Sequence, residues 1–530
     1  MFRCIVSALG FAASALSAQT NVPLYDNLGT YHKDIGTTVP DAQRYFDQGL
    51  RLAYGFNHAE AIRSFTHAAE LDPACAMCWW GIAYAYGPHV NAGMDSASGV
   101  KAFEAAQRAV SLAATKPAWQ QAYATAIAAR YASIPPNDRA KLDTAYAQAM
   151  RDVAARFPND LDAASLASES MMDLRPWNYW TLDGKPYPGT DQIVRQLEGV
   201  IARNPNHPGA CHYYIHAVEA VRPELAVPCA ERLASLMPGE GHMVHMPAHI
   251  YIRVGRYNDA VSSNIHAVHT DEMFIEGQKE PSLYSMMYYP HNIHFLAFAA
   301  MLAGRSADAI AAAKTLSEKI EASGPTAVDM WQEVMPYHQL MLTTFGRWND
   351  VLAEPLPPPQ MRVWSAVAYY ARGIASAAKG DFVMAQTALD SLKAIDAATA
   401  ADNGSKPVVS IAMHALMGEI AGRSGKFDDA VWHFREAVAV DDSLLYNEPP
   451  RWYYPLRQSL GAALLKANRP SEAAIVYQED LKRFPENGWS LYGLALALRA
   501  EGKISEGVQV ENRFQKAWGN ADVKLVGSRF

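Results

Sequence analysis

Small and large residues recur at a fixed phase along this chain, and that phase leaves few folds open. Ala61, Phe65, Ala68 and Pro73 have the spacing A-x3-F-x2-A-x4-P. Trp79, Ile82, Ala83 and Tyr86 follow at the spacing W-x2-L-G-x2-Y, with Ile and Ala in the middle places. Steps of three and four residues put these side chains on one face of a helix. Small residues let two such helices cross closely, large ones fill the gaps, and proline stops the second helix. The phase returns at Tyr146, Met150, Val153 and Pro158, at Ile193, Leu197, Val200 and Pro205, and at Ala226, Ala230, Leu233 and Pro238. It returns again at Ala430, Phe434 and Ala437, and at Ala473, Tyr477 and Pro485. Nowhere does apolar/polar alternation persist long enough for a sheet. The spacing predicts an all-α solenoid of roughly a dozen helix pairs.

These two spacings are the halves of the tetratricopeptide repeat signature, a helix–turn–helix of about 34 residues. The chain resembles that superfamily over almost its whole length. The resemblance implies a right-handed superhelix in which the second, fifth, ninth and twelfth positions of each first helix face a concave groove. The stretches LAYGFNHAEAIRSF, DPACAMCWWGIAYAYGPHVN and PAHIYIRVGRYNDA further resemble an exported bacterial subgroup, which implies no particular activity. Most members of the superfamily are scaffolds that hold peptides, so the fold by itself does not assign a function.

Residues 1–18 read as a secretory signal peptide: Arg3, then an apolar stretch of small residues, then Ala15-Leu16-Ser17-Ala18 near a cleavage point. Residues 19–43 form an N-terminal extension. Residues 44–290 make a first repeat array, and residues 291–530 a second that continues it. The expected location is secreted or periplasmic. Export leaves an even number of cysteines, Cys75, Cys78, Cys211 and Cys229, in an oxidising compartment, which favours disulfides. Cys75–Cys78 and Cys211–Cys229 are the nearest pairs, and the pairing stays open. Half the residues are hydrophobic and 19% are charged, so disorder is not expected. A net charge of -8 without a basic run argues against nucleic acid. Beyond the signal no segment is apolar enough to span a bilayer.

Of seventeen histidines, ten lie between His207 and His294. Counted from Pro205, His212, His216 and Glu219 take the fifth, ninth and twelfth positions of a first helix. Counted from Pro238, His242, His245 and His249 take the second, fifth and ninth. His291 and His294 take the second and fifth of the next. Imidazoles four residues apart share a helix face and can share a metal. His212/His216 and His245/His249 are two such pairs on neighbouring helices. The expected cofactor is a transition metal ion, Zn, Cu or Fe, because borderline metals prefer imidazole. The nearby Met and Tyr fit copper slightly better than calcium. HYYIH and HMPAH lack the glutamate of a zinc-protease HExxH helix.

Glu219 completes HxxxHxxE and is a candidate ligand or general base. Glu169 and Asp173 are a second candidate pair, as ligands, partners of ligands or bases. Arg253 is a candidate for holding a substrate carboxylate, and Trp80 for an aromatic wall. Insertions at residues 87–98, 174–190 and 273–289, and an unusual turn at residues 446–456, are candidate lids. Two functions remain open. One is a metal-dependent enzyme, oxidoreductase or hydrolase, taking a small-molecule or peptide ligand in the groove. The other is a non-catalytic scaffold for a peptide or protein partner.

Overall fold

The computed structural model describes residues 22–277, 282–399 and 404–530; the signal-peptide stretch lies outside them. Among the described residues the chain is all-α, with only two isolated bridges, His89 with Ala92 and Trp180 with Pro186. It divides into two compact units. The first comprises residues up to Ile250 together with His269–Tyr284, and the second Tyr251–Val268 together with Ser285–Phe530. No helix among the described residues is long and apolar enough to cross a membrane.

In the first unit each helix packs on the next: Pro40–Tyr54, His58–Leu71, Ala76–Ala85, Ser96–Ala113 and onward. The repeating residues explain why. Phe65 is fully buried, and its ring sits between two glycines of the flanking helices. A Cβ at Gly81 would lie 2.5 Å from that ring, and one at Gly49 2.7 Å. The small position of the repeat is therefore a slot for the large one. Helix starts are set by short polar side chains: Asp95 accepts from Ser98 N, and Asp160 from Ala163 N. The segment before Pro40 is pinned along the unit. Lys33 pairs with Asp160 and Asp162 at 2.9 and 3.1 Å, and Tyr25 N donates to Gln48 at 2.8 Å.

The second unit repeats the slot. Tyr477 lies between Gly461 and Gly493, where added Cβ atoms would come within 2.3 and 2.2 Å of its ring. Phe434 fills the space against Gly418, and Leu416 against Gly373. Asp522 accepts from Ser306 N and Ala307 N and so caps the helix Ser306–Ala322.

One buried carboxyl in this unit carries a pH prediction. Asp480 accepts from Asn487 Nδ2 at 3.1 Å and Ser490 Oγ at 2.6 Å. Burial nevertheless pushes its pKa up to about 6. The unfolded chain releases this proton near pH ~4. Between those values the folded state holds a proton that the unfolded state has lost, so stability falls as pH rises through the window. Asp480→Asn removes the dependence. The difference in melting temperature, variant minus wild type, becomes more positive from pH 4 to pH 7. Equal differences at the two pH values would refute this.

Candidate metal centre

The helix Pro208–Val218 begins at His207, whose Nδ1 accepts from Ala210 N at 3.1 Å. That cap fixes the register. His212 and His216 become the fifth and ninth helical residues, and Glu219 the residue that closes the helix. The next histidines lie on Gly241–His245 and Pro247–Arg253. These are separate helices because Pro247 has no N–H to return to the Met243 carbonyl. His212, His216, Glu219, His242, His245 and His249 are all buried, none more than 3% exposed. They line the interior of the first unit, where an open groove face was expected.

The ring orientations follow from their partners. His212 Nδ1 donates to the Tyr54 carbonyl at 2.6 Å. His216 Nδ1 donates to Glu219 Oε1 at 3.0 Å, and His249 Nδ1 to Glu219 Oε2 at 2.6 Å. Burial lowers the pKa of His212 well below the ordinary histidine value, and that of His216 too, so both rings are neutral near pH 7. A neutral imidazole has one N–H, which here is spent at Nδ1. The Nε2 atoms of His212 and His216 therefore carry lone pairs, and Nε2 atoms converge here: His212 to His216 at 3.1 Å, His242 to His212 at 3.2 Å, and His245 to His249 at 2.9 Å.

Two lone pairs at hydrogen-bond distance in a buried site repel unless a cation or proton stands between them. Metal–nitrogen bonds of about 2.0–2.1 Å at a tetrahedral angle place ligand nitrogens about 3.3 Å apart. The His212–His216 and His242–His212 separations, 3.1 and 3.2 Å, are close to that. The ligand atoms of these three all lie within 4.8 Å of one another. Hydrogen bonds at Nδ1 are the usual device for holding a ligating ring in place.

Glu219 does not stand where a free general base would. Its two oxygens receive the Nδ1–H groups of His216 and His249. Burial alone would raise its carboxyl, but the His249 and His216 rings outweigh burial and hold it at about 2. It orients two imidazoles.

Several residues at this centre lacked a sequence signal strong enough to single them out. Phe56 stacks on His89 with centroids 4.5 Å apart, lies 4.5 Å from the His212 ring, and is 6.1 Å from His216 at a 15° interplanar angle. Trp177, from the insertion at residues 174–190, meets the His216 ring edge-on at 4.9 Å and donates to Asn91 at 3.0 Å. Both have positive φ, 59° and 62°, which is costly for bulky residues. Aromatic residues held in that conformation against one imidazole mark a built site. His89 is buried and lies 4.4 Å from the His58 ring. The available signal was the aromatic content of the two insertions and the Gly-Phe-Asn break after the first helix.

The remaining candidates are placed as follows. Glu169 is buried in the first unit, and the Asp173 side chain, 5% exposed, pairs with buried Arg130 at 2.7 Å. Arg130 also donates to the Pro88 carbonyl, next to His89, at 2.8 Å. Burial raises both carboxyls, and Glu169 raises Asp173 further. The pair thus holds a proton more tightly than isolated carboxyls do. Burial raises the phenol of Tyr179, and the charges of Asp173, Glu219 and Glu169 raise it further. Trp80 is fully buried, stacked on Tyr84 at 5.3 Å. It is core and walls no open groove.

His291 and His294 belong to the second unit, on the helix Leu283–Leu302. His294 meets Tyr337 edge-on at 4.2 Å, and burial lowers its pKa to about 3. Arg253, also in that unit, donates to the Arg483 carbonyl at 3.1 Å and lies over the Tyr446 ring. Cys75 and Cys78 form a disulfide. Cys211 and Cys229 are buried thiols with sulfurs 2.7 Å apart, in place of a second bond.

A cleft of about 640 Å³ lies elsewhere in the first unit, lined by Lys33, Trp119, Gln120, Arg156 and Asp160 among others. It contains none of the histidines, and its lysine is already paired with Asp160 and Asp162.

The glycine slots and consecutive helix pairs decide the fold type. Each unit is built of consecutive helix pairs, an all-α helical-repeat architecture. No family model matches the chain, and no curated protein matches it. Among solved structures, the human IFIT1 dimer with m7Gppp-AAAA is similar at 11% identity. That match covers 91% of this chain and 91% of the other, with a TM-score of 0.32. The human IFIT1 dimer with PPP-AAAA gives 11% identity, 90% and 91% coverage and a TM-score of 0.33. The APC/C hetero-tetramer Cut9–Hcn1 gives 12% identity, 91% and 88% coverage and a TM-score of 0.26. The helix-pair assignment rests on this chain's own packing, and nothing of those proteins' partners transfers with such scores.

Proposed function

We propose that the chain binds a transition metal ion, Zn, Cu or Fe, inside the first unit and acts as a metal-dependent enzyme, a hydrolase or an oxidoreductase, on a small molecule or peptide. The convergence of ring nitrogens from His212, His216 and His242 within 4.8 Å of one another carries this reading. Three protein ligands is the usual count of catalytic sites, whereas structural sites are closed by four. A bound ion would supply Lewis acidity or, for copper and iron, redox chemistry.

The chain's own residues contribute the rest. Glu219 holds ring orientation, Phe56 and Trp177 keep water from the imidazole faces, and the Glu169–Asp173 pair stores a proton beside Arg130. The N-terminal sequence supports export to the periplasm or outside the cell. A scaffold for a peptide or protein partner is the alternative, and it draws on the fold alone. RNA, which the IFIT1 structures contain, is disfavoured by the net charge of -8.

Elemental analysis tests the reading. Protein stripped with a chelator, then incubated separately with Zn2+, Cu2+ and Fe2+ and desalted, retains at least one of these metals stoichiometrically. If none is retained, the metal reading fails and the scaffold takes its place.

A further inference from the structure

We propose that the second unit carries a binding site for the guanidinium of an arginine-bearing peptide, built on Tyr370, Tyr453 and Tyr454, and that the chain's own residues 523–530 occupy it as an internal ligand. The site uses none of the histidines and does not rest on the metal reading.

After the helix Ile504–Ala517 the chain stops forming helix pairs. Residues 521–530 belong to no helix or strand, so no ladder of their own satisfies their backbone groups. Side chains of the repeat helices hold them instead. Ser528 Oγ donates to the Gln458 carbonyl at 2.9 Å and meets the Tyr477 hydroxyl at 2.6 Å. Arg423 Nη2 donates to the Phe530 carbonyl at 2.8 Å. The Phe530 ring meets Trp489 edge-on at 5.9 Å. Arg423, Gln458, Tyr477 and Trp489 stand on four different helices: Lys406–Arg423, Arg457–Lys466, Pro470–Arg483 and Gly488–Ala500. An irregular run that crosses several helices and is gripped by their side chains is held as a peptide is held, not built as a repeat is built.

Arg529 is the anchor. Its guanidinium stands over the Tyr454 ring, 3.9 Å from the centroid. Tyr453 lies 4.7 Å from Tyr454 at 62°, and its hydroxyl meets that of Tyr370 at 2.9 Å. All three tyrosines are buried, none more than 3% exposed. Trp452 backs Tyr370 at 5.0 Å. The unusual turn at residues 446–456 thus supplies Trp452, Tyr453 and Tyr454, which gives its run of aromatics a use. Burial raises the phenols of Tyr453 and Tyr454, and the Arg529 charge draws both back, so both rings feel the cation. An aromatic face is negative, and a planar guanidinium stacks on it where an ammonium cannot. Arg529 Nε and Nη1 are buried with no hydrogen-bond partner. An arginine that serves structure is closed by carboxylates or carbonyls at its N–H groups. This one is held by a ring face, and its departure strands no acceptor at those two nitrogens. The sequence it would exchange for is Ser-Arg followed by an aromatic, matched to the grips on Ser528 and Phe530.

Fluorescence anisotropy on the full chain tests this, with a labelled synthetic peptide of residues 521–530 made as the amide. Wild type should bind the peptide weakly, because its own segment competes at high effective concentration. Arg529→Ala loosens that segment and should bind the peptide ~10-fold more tightly, the scale of a desolvated cation over a ring. A peptide with alanine in place of its arginine should bind Arg529→Ala ~10-fold more weakly than the parent peptide. Circular dichroism checks that Arg529→Ala folds; should it not, Arg529→Lys, which keeps the charge and loses the planar fork, serves as the host for the same comparisons. Equal binding of the arginine and alanine peptides overturns the guanidinium site. Equal binding of the parent peptide by wild type and variant overturns the internal-ligand reading. No binding to either host overturns both.

Discussion

Zinc added to the stripped wild-type protein should raise the melting temperature of the first unit, and His212→Ala, His216→Ala should remove most of that rise. An ion that binds only the folded chain stabilises it by RT ln(1 + [L]/Kd), about 4 kcal/mol at a thousandfold excess over Kd. The histidines are buried and come from separate helices, so the unfolded chain cannot assemble the same set. The double variant lacks two of the three ring nitrogens and should respond weakly to zinc in differential scanning calorimetry. An equal zinc-induced rise in both proteins would show that the ion binds elsewhere, for instance at surface carboxylates.

Phe65→Ala should cost about 3–5 kcal/mol, the range for an aromatic truncated in a packed core. The ring is fully buried and fills the slot made by Gly49 and Gly81. Neither flanking helix can collapse into the space without moving its partner on the other side, so little of the loss is recovered. Phe65→Leu should cost less, because it keeps most of the volume. Urea unfolding checks this. Because the chain has two units, a single transition is not assured, and the shift should be read in the phase that also releases bound metal. A loss below about 1 kcal/mol would mean that this slot does not organise the repeat.

The sequence by itself determined the helix pairs. Their cause is local: Ala61, Phe65 and Ala68 have the helical period, and glycines at Gly49 and Gly81 leave room for a ring that recurs at the same phase. Two histidine pairs were legible for the same reason, since residues four apart share a helix face. The tertiary structure decided the rest. It placed His242 with His212, thirty residues away, instead of with its neighbour His245. It gave Glu219 two imidazole donors where spacing alone allowed a ligand or base. It took Trp80 into the core, put Arg253 and His294 in the second unit, and brought Phe56, His89 and Trp177 to the imidazoles. These are contacts between distant segments and inserted loops, with no period to announce them. The His212 ring is fixed by the Tyr54 carbonyl, 158 residues earlier. Helical periodicity constrains which way a side chain leaves its own helix, whereas the partner it meets depends on how the helices stack.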